Sequence, residues 1–204
     1  MARPRPWTVP PHDPVVRCEA NLRLADAALP PTAMRRRMSA FRYADGRLLL
    51  VNAIPLREEE MAALLAWGEP AFVLVPNRFH RLDLRAWKDR FPALRFHAPA
   101  EAARAVSEVV PLDGDLEALP PDPDLSIHPL PGWRLGDPVV EVRSGPRRSL
   151  LFGDTLMNNR PAPGAHGLVL RILGAVGGPK VTPVGRLLGV RDAAALAGAL
   201  RRLA

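Results

Sequence analysis

The sequence predicts an α+β protein built as a four-layer αββα sandwich, in which two mixed β-sheets lie face to face between outer helices. Two observations predict this fold. Strand and helix patterns alternate through the first half of the 204 residues, and the second half is again rich in strand patterns, with helical patterns after them. We expect residues 1–14, which contain five prolines, to form an irregular arm, and residues 15–204 to form a single domain.

The strands of the first half are predicted from apolar runs and one turn. Asp45-Gly46 separates two such runs, and this pair is typical of a tight β-hairpin turn. The run Leu48-Leu49-Leu50-Val51 has no alternation of polar and apolar residues, which favours a strand buried on both faces. The predicted strands are residues 34–43, 47–54, 71–75 and 94–96.

The remaining elements follow from residue spacing and from turn residues. Ser144-Gly145-Pro146 predicts a hairpin between the last two strands, and Asp192 is the expected N-cap of the final helix. The strands predicted in the second half are residues 125–130, 138–142 and 149–152. The predicted helices are residues 57–67, 82–91, 101–107, 166–176 and 192–203.

Composition and charge limit the classes of function. The formal net charge is +7, but the arginines are scattered, so we do not expect nucleic acid as a partner. The densest cluster, Arg35-Arg36-Arg37, is interpreted as solvated charge at a strand edge. The single cysteine, Cys18, excludes an intramolecular disulfide. We expect no secretory signal in residues 1–14, and the two observations together predict a cytoplasmic protein. The most apolar later stretch, residues 167–178, is too short to span a membrane, so no membrane partner is expected.

Four short motifs occur in an order that is characteristic of one superfamily. They are Asp45-Gly46-Arg47-Leu48-Leu49-Leu50 with Pro55, Pro76-Asn77-Arg78-Phe79-His80 with Trp87 and Phe91-Pro92, Leu130-Pro131-Gly132, and Leu151-Phe152-Gly153-Asp154. In this order the motifs resemble the metallo-β-lactamase superfamily, and more narrowly a poorly characterised branch in which the usual first metal motif is replaced. The resemblance spans roughly residues 40–157 and implies the αββα sandwich.

The resemblance also implies a metal site, and most of its ligands are missing from this chain. Asn77 and Phe79 fall on the first two histidines of the superfamily's His-x-His-x-Asp-His motif, and Trp133 falls on the His that follows Pro-Gly. Arg81 and Leu82 fall on the motif's Asp and last His, whereas His80 falls between ligand positions. Asp154 alone matches a ligand position. A hydrolytic site needs several imidazoles and a carboxylate, so most of the coordination is lost.

Two functions stay open on these residues. The first is a non-catalytic or altered relative in which Trp133 and Phe79 fill the cleft, and Asp154 only orients His80. The second is a metal-dependent hydrolase with a rearranged mononuclear site. Its metal ligands would be Asp154, His80 and His128; His80 could instead act as a general base, and Asn77 would orient the substrate. No cofactor is favoured under the first function, and zinc or another divalent metal is the cofactor under the second.

The apolar segment 168–176, which includes Ile172 and Leu173, leaves a choice about assembly. It either covers the protein's own sheet or packs against a second copy to form a homodimer.

Overall fold

The fold is described from a computed structural model, which covers residues 6–29, 34–159, 161, 163–172 and 174–204. The side chains of residues 165, 166 and 169 are not described, and Leu173 lies outside the described residues.

The first sheet has six strands in the sequential order β1 to β6 and is mixed. Strands β1 to β4 are antiparallel, whereas β4, β5 and β6 run parallel because helices connect them. The predicted hairpin at Asp45-Gly46 is confirmed, and Gly46 adopts the left-handed backbone (φ +89°) that this turn requires. The strands are β1 (Val16–Glu19), β2 (Leu22–Ala28), β3 (Arg35–Arg42), β4 (Arg47–Val51), β5 (Glu69–Leu74) and β6 (Arg95–His97).

The second sheet consists of β7 (Leu125–His128), β8 (Val139–Ser144) and β9 (Arg147–Leu151). All of its described pairings are antiparallel, so it is not mixed as predicted. The cause is local, because short connections without a helix can only join antiparallel neighbours.

The helices cover the outer faces of the two sheets. Asp192 caps the last helix as predicted, since its Oδ1 accepts from the backbone N–H groups of Ala194 and Ala195 at 3.0 Å. The fifth helix was not predicted; Thr182 caps it and Pro183 occupies its first turn. The helices are α1 (Glu58–Trp67), α2 (Leu84–Arg90), α3 (Ala100–Ser107), α4 (Gly164–Ile172), α5 (Pro183–Gly189) and α6 (Ala193–Leu203).

Three apolar clusters fill the three spaces between the four layers. One joins α1, α2 and α3 to the first sheet, the second lies between the sheets, and the third joins the second sheet to α6. Strand β4 serves two of them, because Leu48 and Leu50 point to the helices while Leu49 and Val51 point to the second sheet. The prediction that this run is buried on both faces is therefore confirmed.

One arginine of the cluster is placed differently from its prediction. Arg35, Arg36 and Arg37 pair with β2, whereas β4 pairs only with residues 39–42, so the cluster lies at the end of β3 that extends past β4. The side chains of Arg35 and Arg37 are about half exposed, but that of Arg36 is only 11% exposed and pairs with the buried Asp83. The alternation of side chains along a strand explains this difference, because the middle of three consecutive residues faces the opposite side from its neighbours.

Residues 6–14 run without helix along the first sheet. His12 forms a single bridge to Ala27, and Trp7 packs edge-on against Trp87 with ring centroids 5.0 Å apart. The indole N–H of Trp7 donates to the carbonyl of Leu56 at 3.0 Å. This part of the proline-rich arm is therefore docked on the domain.

Candidate functional site

The candidate site lies where three loops meet beside the two sheets. One loop follows β5 and carries Asn77 and His80, the second precedes β8 and carries Trp133 and Asp137, and the third follows β9 and carries Asp154. Pro76 helps to end the strand run before the first loop because it has no N–H for the ladder. In the second loop, Gly132 adopts φ +82° against α6, where a Cβ would overlap the carbonyl of Asp192.

Asp137 is the central acceptor of the site. Its side chain is almost fully buried, and its backbone has φ +24°, which is uncommon outside glycine. Oδ1 accepts a hydrogen bond from Asn77 Nδ2 at 2.7 Å. Oδ2 accepts from Trp133 Nε1 at 3.1 Å, from the backbone N–H of Asp154 at 2.9 Å and from the hydroxyl of Thr155 at 3.3 Å. Both oxygens of this carboxylate are therefore engaged by protein donors.

Asn77 connects Asp137 to a second carboxylate. Its Nδ2 also donates to Oδ2 of Asp154 at 2.9 Å, and its Oδ1 accepts from the backbone N–H of Phe79 at 2.8 Å. The Phe79 contact fixes the orientation of the amide, so the N–H side faces both acids. Since Asn77 is fully buried, its amide holds its own loop to the two loops that carry Asp137 and Asp154.

His80 lies against Asp154, as the sequence allowed. Its Nε2 is 3.2 Å from Oδ2 of Asp154, an ion-pair distance, but no aligned hydrogen bond joins the two atoms. The side chains of His80 and Asp154 are 16% and 33% exposed. This pair is the part of the site that is nearest to solvent.

Burial and charge set the ionisation of the site. Burial raises the pKa of Asp137 above its ordinary value, and the charge of Asp154 raises it further. Burial would also raise the pKa of Asp154, but His80 and Asn77 together outweigh burial and hold that pKa below its ordinary value. Burial would lower the pKa of His80, but Asp154 and, to a lesser extent, the charge of Asp137 together outweigh burial and raise that pKa. His80 and Asp154 therefore favour their charged forms together.

Trp133 links the site to the helices. It is 5% exposed and belongs to the cluster between the second sheet and α6. Its ring also contacts Gly185 and Gly189 of α5, and a Cβ on Gly189 would overlap the indole. The indole thus fills space at the ligand position identified from the sequence, and its N–H points at Asp137.

Phe79 does not fill the cleft, in contrast to its prediction. Its side chain is 61% exposed, with the guanidinium of Arg78 lying 5.0 Å from the ring centroid. Arg81 also points away, since it donates to the carbonyl of Ala105 and pairs with Glu108 at 2.7 Å. Asn77 anchors the loop inward, and the residues after it turn toward the surface.

His128 is not brought to His80 and Asp154. It lies on β7, and its Nε2 is 2.8 Å from Oε2 of Glu141 on the neighbouring strand β8. Within the part of the chain that the structure describes, no three His, Cys, Asp or Glu side chains are grouped to hold a metal ion. The predicted ligand set of His80, Asp154 and His128 is therefore not assembled.

Two buried residues of the site's surroundings were not predicted. The first is Asp137, which precedes Pro138 in a turn. The Gly-Asp-Pro sequence indicates a turn there, but nothing in it indicates that the carboxylate is buried. The second is Arg36, which pairs with Asp83 close enough to His80 to oppose the rise in its pKa. Both are charged side chains whose burial depends on long-range packing.

The residues present do not fit the metal centre that the fold implies. A divalent cation needs lone pairs directed at it, whereas the N–H groups of Asn77 and Trp133 point at the carboxylate oxygens. The imidazole of His80 and the carboxylate of Asp154, at the solvent side of the site, are the two groups that remain as possible metal ligands.

Comparison with known proteins supports the fold. No protein-family model and no curated protein matches the sequence. Among solved structures, a metallo-β-lactamase from Hirschia baltica matches with a TM-score of 0.54 and 13% identity, over 84% of this chain and 93% of that chain. The metallo-β-lactamase DIM-1 matches with a TM-score of 0.54 and 12% identity, over 94% and 96%. TMB-1 matches with a TM-score of 0.55 and 11% identity, over 96% and 100%. The chain has the metallo-β-lactamase fold.

Proposed function

We propose that this chain keeps the metallo-β-lactamase fold without metal-dependent hydrolysis and serves as a binding or assembly module. The observation that carries the proposal is the double hydrogen bond from Asn77 Nδ2 to Asp137 at 2.7 Å and to Asp154 at 2.9 Å. An amide N–H between two carboxylates occupies the place where a shared cation would be attracted.

The same contacts argue against a catalytic role for Asn77. An amide that orients a substrate needs a free donor or acceptor, and both ends of this side chain are engaged inside the protein. Asp137 is likewise saturated by four donors. The proposal therefore assigns these residues to the stability of the loops.

A mononuclear hydrolase is the alternative, and one observation favours it. His80 Nε2 lies 3.2 Å from Oδ2 of Asp154 and has no aligned hydrogen bond. If the imidazole lost the proton on Nε2, that nitrogen and the Asp154 oxygen could both bind a metal ion. In that case Asp154 would be a ligand and His80 a ligand or a general base. Such a centre would need a third donor from outside the pair.

Metal analysis of the purified chain distinguishes the two functions. We expect plasma emission spectroscopy to find zinc, iron and manganese far below one ion per chain, both in the wild type and in Asp154→Ala. Asp124→Ala is the matched control, because Asp124 is an exposed carboxylate remote from the site in sequence. Stoichiometric metal that is lost from Asp154→Ala but kept in Asp124→Ala would contradict the proposal and establish the mononuclear centre.

The cellular location is part of the proposal. Cys18 is exposed and unpaired, which suits a reducing compartment such as the cytoplasm. Within the described residues, no helix has the length and apolar character needed to cross a bilayer.

A further inference from the structure

An exposed aliphatic surface lies on the two helices that follow the candidate site. On α4, Leu168 and Ile172 are 58% and 73% exposed, and on α5 Val184, Leu187 and Leu188 are 43%, 81% and 65% exposed. Ile172 follows Leu168 by four positions, and Leu187 and Leu188 follow Val184 by three and four, so these residues lie on one side of each helix. We name these five residues the α4–α5 surface.

The helices are held with these side chains outward. Gly185 and Gly189 form the inner side of α5, where they lie against the Trp133 ring. The segment after α4 adjoins the start of α5, because a Cβ on Gly174 would meet the ring of Pro183. Exposed aliphatic side chains that are grouped, rather than scattered singly, are typical of an interaction site.

The charge of the sequence segment that carries this surface indicates what covers it. Residues 155–191 contain no Asp or Glu but five basic residues: Arg160, Arg171, Lys180, Arg186 and Arg191. Arg171 and Arg186 are exposed on the same two helices as the aliphatic residues. A second copy of this chain would bring these cations toward each other, which opposes association. An anionic lipid surface instead offers acyl chains to the aliphatic groups and phosphates to the guanidinium groups.

We propose that the α4–α5 surface docks this protein peripherally on an anionic membrane. The aliphatic side chains enter the boundary between headgroups and acyl chains, and Arg171 and Arg186 contact the lipid phosphates. This docking requires no spanning helix, and it goes beyond the proposed function without depending on the state of the candidate site.

Vesicle flotation tests the docking with the full chain. The probe is a vesicle of equal parts phosphatidylcholine and phosphatidylglycerol, compared with phosphatidylcholine alone. We expect the protein to float with the anionic vesicles only and to be released by salt. The double variant Leu187→Ser, Leu188→Ser should bind about tenfold more weakly. Arg171→Glu with Arg186→Glu should bind about tenfold more weakly and lose most of the salt dependence.

Matched controls separate this surface from general charge and hydrophobicity. Leu65→Ser changes an aliphatic side chain of α1 that is 41% exposed, and Arg17→Glu reverses an exposed cation on β1. Both controls should bind like the wild type, and all variants should keep the wild-type melting temperature. Absence of flotation, or an equal loss in the controls, would overturn the proposal. A dimer in light scattering that dissociates in the Leu187→Ser, Leu188→Ser variant would overturn it in favour of a second copy.

Discussion

Trp133 donates its indole N–H to Oδ2 of Asp137 over 3.1 Å, and both side chains are buried. A histidine at this position could present a lone pair to a cation, but the indole nitrogen can only donate. The contact therefore makes Trp133 part of a hydrogen-bond network centred on Asp137.

Trp133→Phe removes the donor and keeps an aromatic ring in the same space. We expect a loss of about 1–3 kcal/mol in the free energy of unfolding, because the buried Asp137 loses a partner and the smaller ring packs less well. Denaturant unfolding followed by circular dichroism measures the loss. Tyr43→Phe, which removes a hydroxyl that has no hydrogen bond, is the control and should change stability less. Equal stability of Trp133→Phe and wild type would show that the contact contributes nothing.

Asp137→Asn should be more damaging than Asp154→Asn. The amide of the new residue turns one N–H group toward the donors that now surround Asp137, whereas Asp154 is one-third exposed and can turn to water. We expect a loss of about 2–4 kcal/mol for Asp137→Asn. The same unfolding experiment measures both variants, and the reverse order would contradict the central role of Asp137.

Gly189→Ala tests the packing of α5 on the indole. A Cβ at this position would overlap the Trp133 ring, so the helix must shift, at a cost of about 1–3 kcal/mol. Gly198→Ala in α6 is the matched control, since the nearest atom to its Cβ is the flexible end of Arg202 at 3.6 Å. The control should be neutral or stabilise by about 0.5–1 kcal/mol, because alanine is the better helix former. Similar effects at both glycines would contradict the tight contact.

The His80–Asp154 pair should contribute less to the stability of the fold as the pH rises. Burial would lower the pKa of His80, but Asp154 raises it above 6.5. Charged His80 therefore stabilises the fold fully below pH 6.5, and the contribution is lost as the pH rises through the raised pKa. NMR titration of the imidazole should show this pKa in the wild type and a lower one in Asp154→Asn. A His80 pKa below 6.5 in the wild type would contradict the ion pair.

The environment of Glu141 on β8 predicts an acid transition that does not involve the hydrogen bonds of the candidate site. Hydrogen bonding from Arg148, with further contacts from His128 and Arg143, lowers its pKa to about 2. Its contribution to stability is present above the ordinary value of 4.5 and is lost as the pH falls from there toward 2. Glu141→Gln should lower stability at neutral pH by about 1 kcal/mol. It should also flatten the acid side of the stability curve, and a curve that keeps the wild-type slope would contradict this assignment.

Local patterns predicted the parts of the fold that depend on local chemistry. Three features were predictable because each depends only on residues next to it in the sequence. They are the Asp45-Gly46 turn, the apolar run through β4 and the cap at Asp192. Strands β1 and β2 were missed, since their mixed composition gives no clear period and their pairing with β3 supplies the order. Helix α5 was missed for a similar reason, as its two glycines are poor helix formers that serve the contact with Trp133.

The candidate site was predictable only in part. Asp154 and Asn77 were found from their place in strand–turn motifs, and their proximity follows from the fold. Asp137 and Arg36 were not found, because burial of a charge depends on partners that are 60 and 47 positions away in the chain, Asn77 and Asp83. Phe79 was placed wrongly, since a single position on a loop does not fix which way its side chain points.

The most direct test of the central claim is anomalous diffraction at the zinc edge from crystals of this protein grown with excess zinc. If N–H groups occupy the space between Asp137 and Asp154, the map shows no peak beside Asp154, and Asn77 remains within hydrogen-bond distance of both acids. A zinc peak within bonding distance of Asp154 and held by three or more protein nitrogen or oxygen atoms would contradict the claim.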